Sequence, residues 1–536
     1  MQMLKKHWPL YLALAVLCAI VAVLLVVSIQ KNDGKLIYAI DDPYIHMAIA
    51  KNLTAHGVWG PTPHEFASAS SSIIWTLLIA ASFLLCGANE LSPFVFAFLS
   101  AAALLVVAYR ILKRYGAPQY IAGSILLALI FITPVPLLIF SGMEHLLHAT
   151  LTILLVFCAA PMLSGKQSDW TPSQKRNLLI AAALAVGVRY ESLVLIGMLS
   201  LLFVIKKKPV FGIMLACASL LIVLPFGLYA TVHGGFLLPN SVLVKSLAEN
   251  GLAALGMHTL LSVFFSPFGF FVSIVIFFAA IVAMLRKRPI RRSKYARPAL
   301  LFIGIAMVHI TLARVDWIFR YSAFLVALGI VTIGILLIEL FQNKTQFSLS
   351  KNFTFKKTAL VALLIVLIAP LVYIRGVLAL FNTVLATTSI YKQQYQMGLF
   401  IKKFYPSARI AAHDIGAISY LSDARLLDLN GLGTTEIARL RVGNNFTESN
   451  LQLLSRERGI QIAIAYQYVF FQKPDGWIEV GAWQHLNNTT AMNDTVTFYA
   501  TTGAAAEQLT KNLQAFSPLL PDAVIESGTY IPAAAE

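Results

Sequence analysis

Two adjacent carboxylates, Asp41 and Asp42, stand just after an apolar run, Leu10 to Ile29, that is long enough to cross a bilayer. Neighbouring like charges raise one proton affinity, which suits a general base or a metal ligand. Capping the helix "PYIHMAIAKNL", with Pro43 in its first turn, would account for one of the two acids but not for both. Further chemistry-bearing residues follow at intervals. "SGMEH" carries Glu144 and His145; it reads as an interfacial polar loop or as part of a site. "RYES" sets Arg189 and Glu191 inside an apolar stretch, as a buried ion pair or as a functional group within the membrane. "LPNSVLVK" offers Asn240 in a turn and Lys245 at the interface. "RVDWIFRY" places Arg314, Asp316 and Arg320 around Trp317. An interfacial Trp is ordinary, but arginines on the outer side run against the positive-inside bias and call for an anionic partner. Phosphate is the natural one, since Arg grips it bidentately.

The elements that must position these residues are membrane helices. The chain has 536 residues, 58% hydrophobic and 12% charged, with mean hydropathy +0.76, which excludes a soluble globular protein. The formal charge of +17 sits in short clusters between apolar runs, the pattern that orients membrane proteins and suits anionic lipid rather than nucleic acid. Lys5 and Lys6 set the N-terminus inside. Arg110 to Arg114, Lys175/Arg176, Lys206 to Lys208, Arg286 to Arg297 and Lys344 to Lys357 fix further inside points. Alternation predicts an α-helical polytopic membrane protein of about 11 to 12 segments. Tyr120–Phe140 reads as one span, and Leu178–Ile205 as two short helices meeting near the outer face at "RYES". This topology puts every motif above on one outer face. Cys18, Cys86, Cys158 and Cys217 all lie in apolar runs without metal spacing, so neither disulfide nor zinc is implied.

After about residue 380 the apolar runs shorten to strand length. The chain divides into a membrane domain, 1–380, with a first outer loop at 31–71, and an extracytoplasmic α/β domain, 381–536. "ARIAAHDIGAISYL", "RLLDLNGL", "IQIAIAY", "GWIEVGAWQ" and "TVTFYATT" read as strands, and "TESNLQLLSRERG" and "GAAAEQLTKNLQAF" as helices. "HDIG" and "DLNG" bring His413, Asp414, Asp428 and Asn430 near strand ends, where they bind an acceptor or serve as turn and cap residues.

In order along the chain, "DDPYIHMAIAKNLTAHGVWG", "SIIWTLL", "SGMEHLLHATL", "VRYESLVL", "LLPNSVLVK", "VDWIFRYSAFLV" and "ARIAAHDIGAISYLSDARLLDLNGLGTTEIARL" resemble GT-C-fold membrane glycosyltransferases. The likeness is to the mycobacterial terminal arabinofuranosyltransferases and their proteobacterial relatives. The resemblance implies a GT-C-like fold and a polyprenyl-phosphate sugar donor on the outer face of a bacterial inner membrane. It implies a cell-surface glycan or protein as acceptor, activated by an acid of the first outer loop. Carried over, Asp41 and Asp42 match the paired acid, and Glu144, Arg189, Glu191, Asn240, Lys245, Asp316 and Arg320 match other polar positions. Ala48, "SASS" at 68–71 and Arg314-Val315 depart from the family pattern.

The mechanism to expect is an inverting single displacement, with Asp41 favoured over Asp42 as base and Lys245, Arg314 and Arg320 on the phosphate. No cofactor is required; a divalent ion bridging carboxylate and phosphate is compatible with the residues but not demanded by them. The alternatives are a secondary transporter, a polymerase or ligase using a pyrophosphate-linked oligosaccharide, and an inactive homologue.

Overall fold

This computed structural model describes residues 2–163, 170–247, 266–284, 293–312, 318–342, 351–467 and 473–531. Among them, six helices are long and apolar enough to cross a bilayer: Lys6–Lys31, Leu91–Arg114, His145–Met162, Pro209–Val232, Ala323–Phe341 and Ala362–Phe404. Five shorter apolar helices accompany them: Ile73–Cys86, Gln119–Ile132, Ser192–Ile205, Pro267–Ala280 and Ala296–Ile310. At 1.5 Å per residue a 14-residue helix spans about 21 Å, short of the ~30 Å hydrocarbon core. Such helices end at membrane depth, and their ends are tolerable only where protein lines them. The gap between Pro172–Val188 and Ser192–Ile205 is one such place, and it holds the "RYES" residues.

The run Tyr120–Phe140 is not one span. It breaks into Gln119–Ile132 and Val135–Phe140, because Pro134 and Pro136 withhold backbone donors there. The first outer loop contains a helix, α1 (Asp42–His56), ended by Gly57 in the left-handed region at φ 69°; its N–H bonds back to Leu53.

The division at residue 380 cuts through a helix. Lys351–Leu371, Leu378–Ile390 and Gln396–Phe404 run on through two π-helical turns, Val372–Val377 and Tyr391–Tyr395. The first strand begins only at Arg409. Phe400, near the end of this helix, is fully buried, with its ring 5.7 Å from Trp483, 5.6 Å from Phe498 and 5.5 Å from Phe516. One helix thus belongs both to the membrane bundle and to the core of the C-terminal domain.

That domain is built on a six-stranded sheet, β1 (Arg409–Ala412), β2 (Arg425–Asp428), β3 (Ile462–Ala465), β4 (Ile478–Gln484), β5 (Thr495–Ala500) and β6 (Ile525–Gly528), in the order β2-β1-β3-β5-β4-β6. The first three are parallel, and β5, β4 and β6 add on antiparallel. Alternation sorts the two faces. Ile410, Ala412, Ile462 and Ile464 join the core containing Phe400, and Ala411, Ala463 and Ala465 a second core with Leu427 and Trp477. Of "ARIAAHDIGAISYL" only Arg409–Ala412 is strand. Gly416–Leu421 forms a helix, α2, because β1 ends at the polar pair His413-Asp414 and the chain turns back. Helices Glu448–Glu457 and Gly503–Phe516 fall where the sequence puts them, each capped by its preceding threonine.

Candidate active site

Asp41 precedes α1 but makes no side-chain cap to it. Its carboxylate reaches the other domain instead. Oδ2 accepts the Gly416 N–H at 2.6 Å and Oδ1 accepts the Ala417 N–H at 2.9 Å. Those are the first donors of α2, whose own N-cap residue, Ile415, supplies no side-chain bond. Asp41 therefore caps a helix 375 positions further along the chain. Gly416 must be glycine: a Cβ there would lie 2.2 Å from the Asp41 carbonyl oxygen and 2.6 Å from its Oδ2.

Asp414 stands two residues before Gly416 and, like Asp41, is half-buried. Gln394 Nε2 donates to its Oδ2 at 2.8 Å, and the Tyr466 hydroxyl donates to the same oxygen. Gln394 Nε2 also lies 2.9 Å from the Tyr466 hydroxyl. Tyr466 follows β3 and Asp414 follows β1, so adjacent parallel strands deliver both to one end of the sheet. Gln394 comes from the second π-turn of the long helix. Burial pushes Asp41 well above the usual carboxylate range; Asp414 and Asp42 push the same way, and the two amides pull back. Burial also raises Asp414, against the pull of Tyr466 and Gln394.

Asp42 points elsewhere. Its Oδ2 accepts Arg320 Nη1 at 2.5 Å, and Arg320 is 2% exposed. Two consecutive non-glycine residues, Ile318 (φ 51°) and Phe319 (φ 59°), lead into Arg320 in the left-handed region. Such backbone costs about 1–3 kcal/mol per residue and persists where surrounding structure enforces it. Part of that enforcement is Arg375, fully buried on the first π-turn. Its Nε donates to the Ile132 carbonyl at 2.9 Å, its Nη2 lies 3.4 Å from Ser322 Oγ, and its guanidinium stacks 4.7 Å from the Phe319 ring.

A second cluster is centred on Arg189. Its Nη1 donates to Glu144 Oε1 at 2.6 Å, and its Nε donates to Glu191 Oε2 at 3.1 Å, with Nη2 completing the fork onto Glu191 Oε1. His145 Nδ1 lies 3.4 Å from Nη1. Glu144 is wholly buried, and its Oε2 has no partner among the described residues. The Tyr321 ring joins the clusters, 4.9 Å from the Arg320 guanidinium and 5.6 Å from that of Arg189.

The structure thus brings together Asp41, Asp42, Arg320 and Asp414, and beside them Glu144, His145, Arg189 and Glu191. Asn240 stands apart: Ser68 Oγ lies 3.2 Å from its Oδ1, and its Nδ2 faces the Leu432 carbonyl and Thr435 Oγ1. It ties the first outer loop to the C-terminal domain. Lys245 lies in the helix Asn240–Leu247; Arg314 and Asp316 lie outside the described residues.

Asp428 accepts the Asn430 and Gly433 N–H groups at 2.8 and 2.6 Å, and Asn430 Nδ2 donates to the His413 carbonyl at 2.8 Å. Asp428 thus holds its own loop, and Asn430 ties that loop to the one after β1. Burial carries Asp428 up to about 6 despite those amides. His413 Nδ1 accepts the Tyr466 N–H at 3.0 Å, and burial lowers the ring to about 3.

Gln394, Tyr466 and Arg375 were not among the residues singled out from sequence. Arg375 had a legible signal: it is the one basic residue between Lys357 and Lys392. Among the described residues, no three His, Cys, Asp or Glu side chains gather as a metal site.

A family model described as "Domain of unknown function (DUF8728)" matches residues 386–499. No curated protein matches the chain significantly. Among solved structures, ArnT from Cupriavidus metallidurans bound to undecaprenyl phosphate aligns with TM-score 0.50 and 15% identity, covering 92% of this chain and 99% of that one. The apo state of the same enzyme gives TM-score 0.48 and 13% identity over 92% and 98%. The fold is of the GT-C type. At this identity the likeness speaks for architecture alone, a membrane helix bundle with a sheet domain at its C-terminal end.

Proposed function

We propose that this chain is a GT-C-type membrane glycosyltransferase. It moves one sugar, a pentose such as arabinofuranose, from a polyprenyl-phosphate donor to a hydroxyl of a cell-surface glycan or protein. The reaction takes place on the outer side of a bacterial inner membrane, with the C-terminal domain in the periplasm. The observation that carries the reading is Asp41 held between neutral donors, one residue from the Asp42–Arg320 pair. Support for the donor class comes from the ArnT structure of the same fold, which holds undecaprenyl phosphate.

In this mechanism the acceptor oxygen attacks the anomeric carbon as its proton passes to Asp41. The bond from that carbon to the phosphate oxygen breaks, and polyprenyl phosphate leaves with the electron pair, so the anomeric centre inverts. Each Asp41 oxygen keeps an acceptor lone pair beyond its amide bond, and its raised proton affinity strengthens it as a base. Arg320, Lys245 and Arg314 supply positive charge to the departing phosphate. The unpaired Glu144 Oε2 is available to a sugar hydroxyl.

The test offers the purified protein in nanodiscs three donors: polyprenyl-phosphate arabinofuranose, a nucleotide sugar and a pyrophosphate-linked oligosaccharide. Each is mixed with a cell-envelope glycan fraction. Transfer from the first donor alone supports the reading. Transfer only from the third would replace it with a polymerase or ligase, and uptake into sealed vesicles without product would replace it with a transporter.

A further inference from the structure

We infer that the C-terminal domain is part of the catalytic apparatus, with Asp414 as a positioning residue that sets the working proton affinity of Asp41. This deepens the transferase reading and rests on it. An acid meant only to pin two domains together would be matched with a cation. Elsewhere on this junction that is what is found: Lys51 meets Asp423 at 3.1 Å, and Arg458 meets Glu65 at 2.8 Å. At Asp41 the opposing domain presents two amides and, two residues away, another carboxylate.

The supports of Asp414 are neutral as well, and each comes from a different element. Tyr466 follows β3, and Gln394 stands on a π-turn. A π-turn alters the helical phase of one side chain, and such turns recur at functional sites. Among the described residues, the charged and titratable groups that act on Asp41 include Asp42 on its own segment and Asp414 from the C-terminal domain, with Tyr466 beside Asp414 and Arg320 paired to Asp42. Burial, the neighbouring acids and two N–H groups are the described influences on the proton affinity of Asp41.

Two substitutions should move the acid limb of the kcat/KM–pH profile in opposite directions. Asp414→Asn removes a neighbouring negative charge, so Asp41 ionises more readily and the limb moves down by about one pH unit. Ala417→Pro removes an N–H that stabilises the ionised form, and proline is tolerated in the first turn of a helix, so the limb moves up by about one unit. The measurement is polyprenyl-phosphate release from the arabinofuranose donor in nanodiscs, with size-exclusion and limited proteolysis to confirm folded protein. Opposite shifts support the inference. A working transferase whose acid limb stays put, or shifts the same way in both variants, overturns it and leaves the transferase reading intact. Absence of transfer by the wild-type protein overturns both.

Discussion

Two acidic clusters lie side by side in this molecule, and they are held in opposite ways. Around Arg189, Glu144 and Glu191 share one buried guanidinium. Around Asp41 and Asp414, the described hydrogen-bond donors are neutral: two backbone amides, a phenol and a carboxamide. A guanidinium fixes a carboxylate in its charged form and makes it a poor proton acceptor. Neutral donors fix its direction while leaving it able to take a proton. Similar acids are thus held differently: the Arg189 cluster is matched charge for charge, and the Asp41 cluster is matched by neutral donors.

Removing the cation should break the first cluster outright. Arg189→Met leaves two carboxylates, one wholly buried, without a counter-charge and should cost about 3–5 kcal/mol. Thermal unfolding in detergent should show a large fall in Tm. Asp414→Asn, which keeps acceptor and shape, should leave Tm nearly unchanged.

Crowding the second cluster should spare the fold and harm the reaction. Gly416→Ala forces a Cβ into the space of the Asp41 carboxylate. A displacement of about 1 Å there should lower kcat about 100-fold. Steady-state kinetics on protein that still elutes as a single species checks this.

The Asp42–Arg320 pair tests the boundary between the two kinds of cluster. Arg320→Lys keeps the charge and loses the planar fork that meets Asp42 and stacks on Tyr321. The donor KM should rise about tenfold, a change of about 1.4 kcal/mol, with a smaller effect on kcat. The smallest effect belongs to the half-exposed bridge at the domain junction. Lys51→Ala should change stability by less than about 1 kcal/mol and leave transfer at the wild-type rate.

How much of this was legible in the sequence follows the same divide. The membrane class and the polar motifs could be read because charge is rare in apolar runs and stands out there. "SGMEH" and "RYES" were visible as separate motifs, and their union at Arg189 needed only the prediction that both lie on one face. The partners of Asp41 were not legible. Its partners are backbone amides at Gly416 and Ala417, and an N–H carries no sequence signature. Tyr466 and Gln394 were hidden because a tyrosine after a strand and a glutamine in a helix are common, and π-turns have no simple code. The break at Pro134 could have been read from "TPVP", but the apolar run around it masked the two prolines. No sharp boundary is legible near residue 380 because the helix continues there and serves both the bundle and the sheet domain.

The most direct measurement compares kcat and donor KM for Asp41→Asn and Asp42→Asn with polyprenyl-phosphate arabinofuranose. Asp41→Asn should lower kcat by about 10²–10⁴-fold with little change in donor KM, the loss of a general base. Asp42→Asn should act mainly on KM, through Arg320. Wild-type kcat in Asp41→Asn would contradict the assignment of that carboxylate as the group that takes the proton.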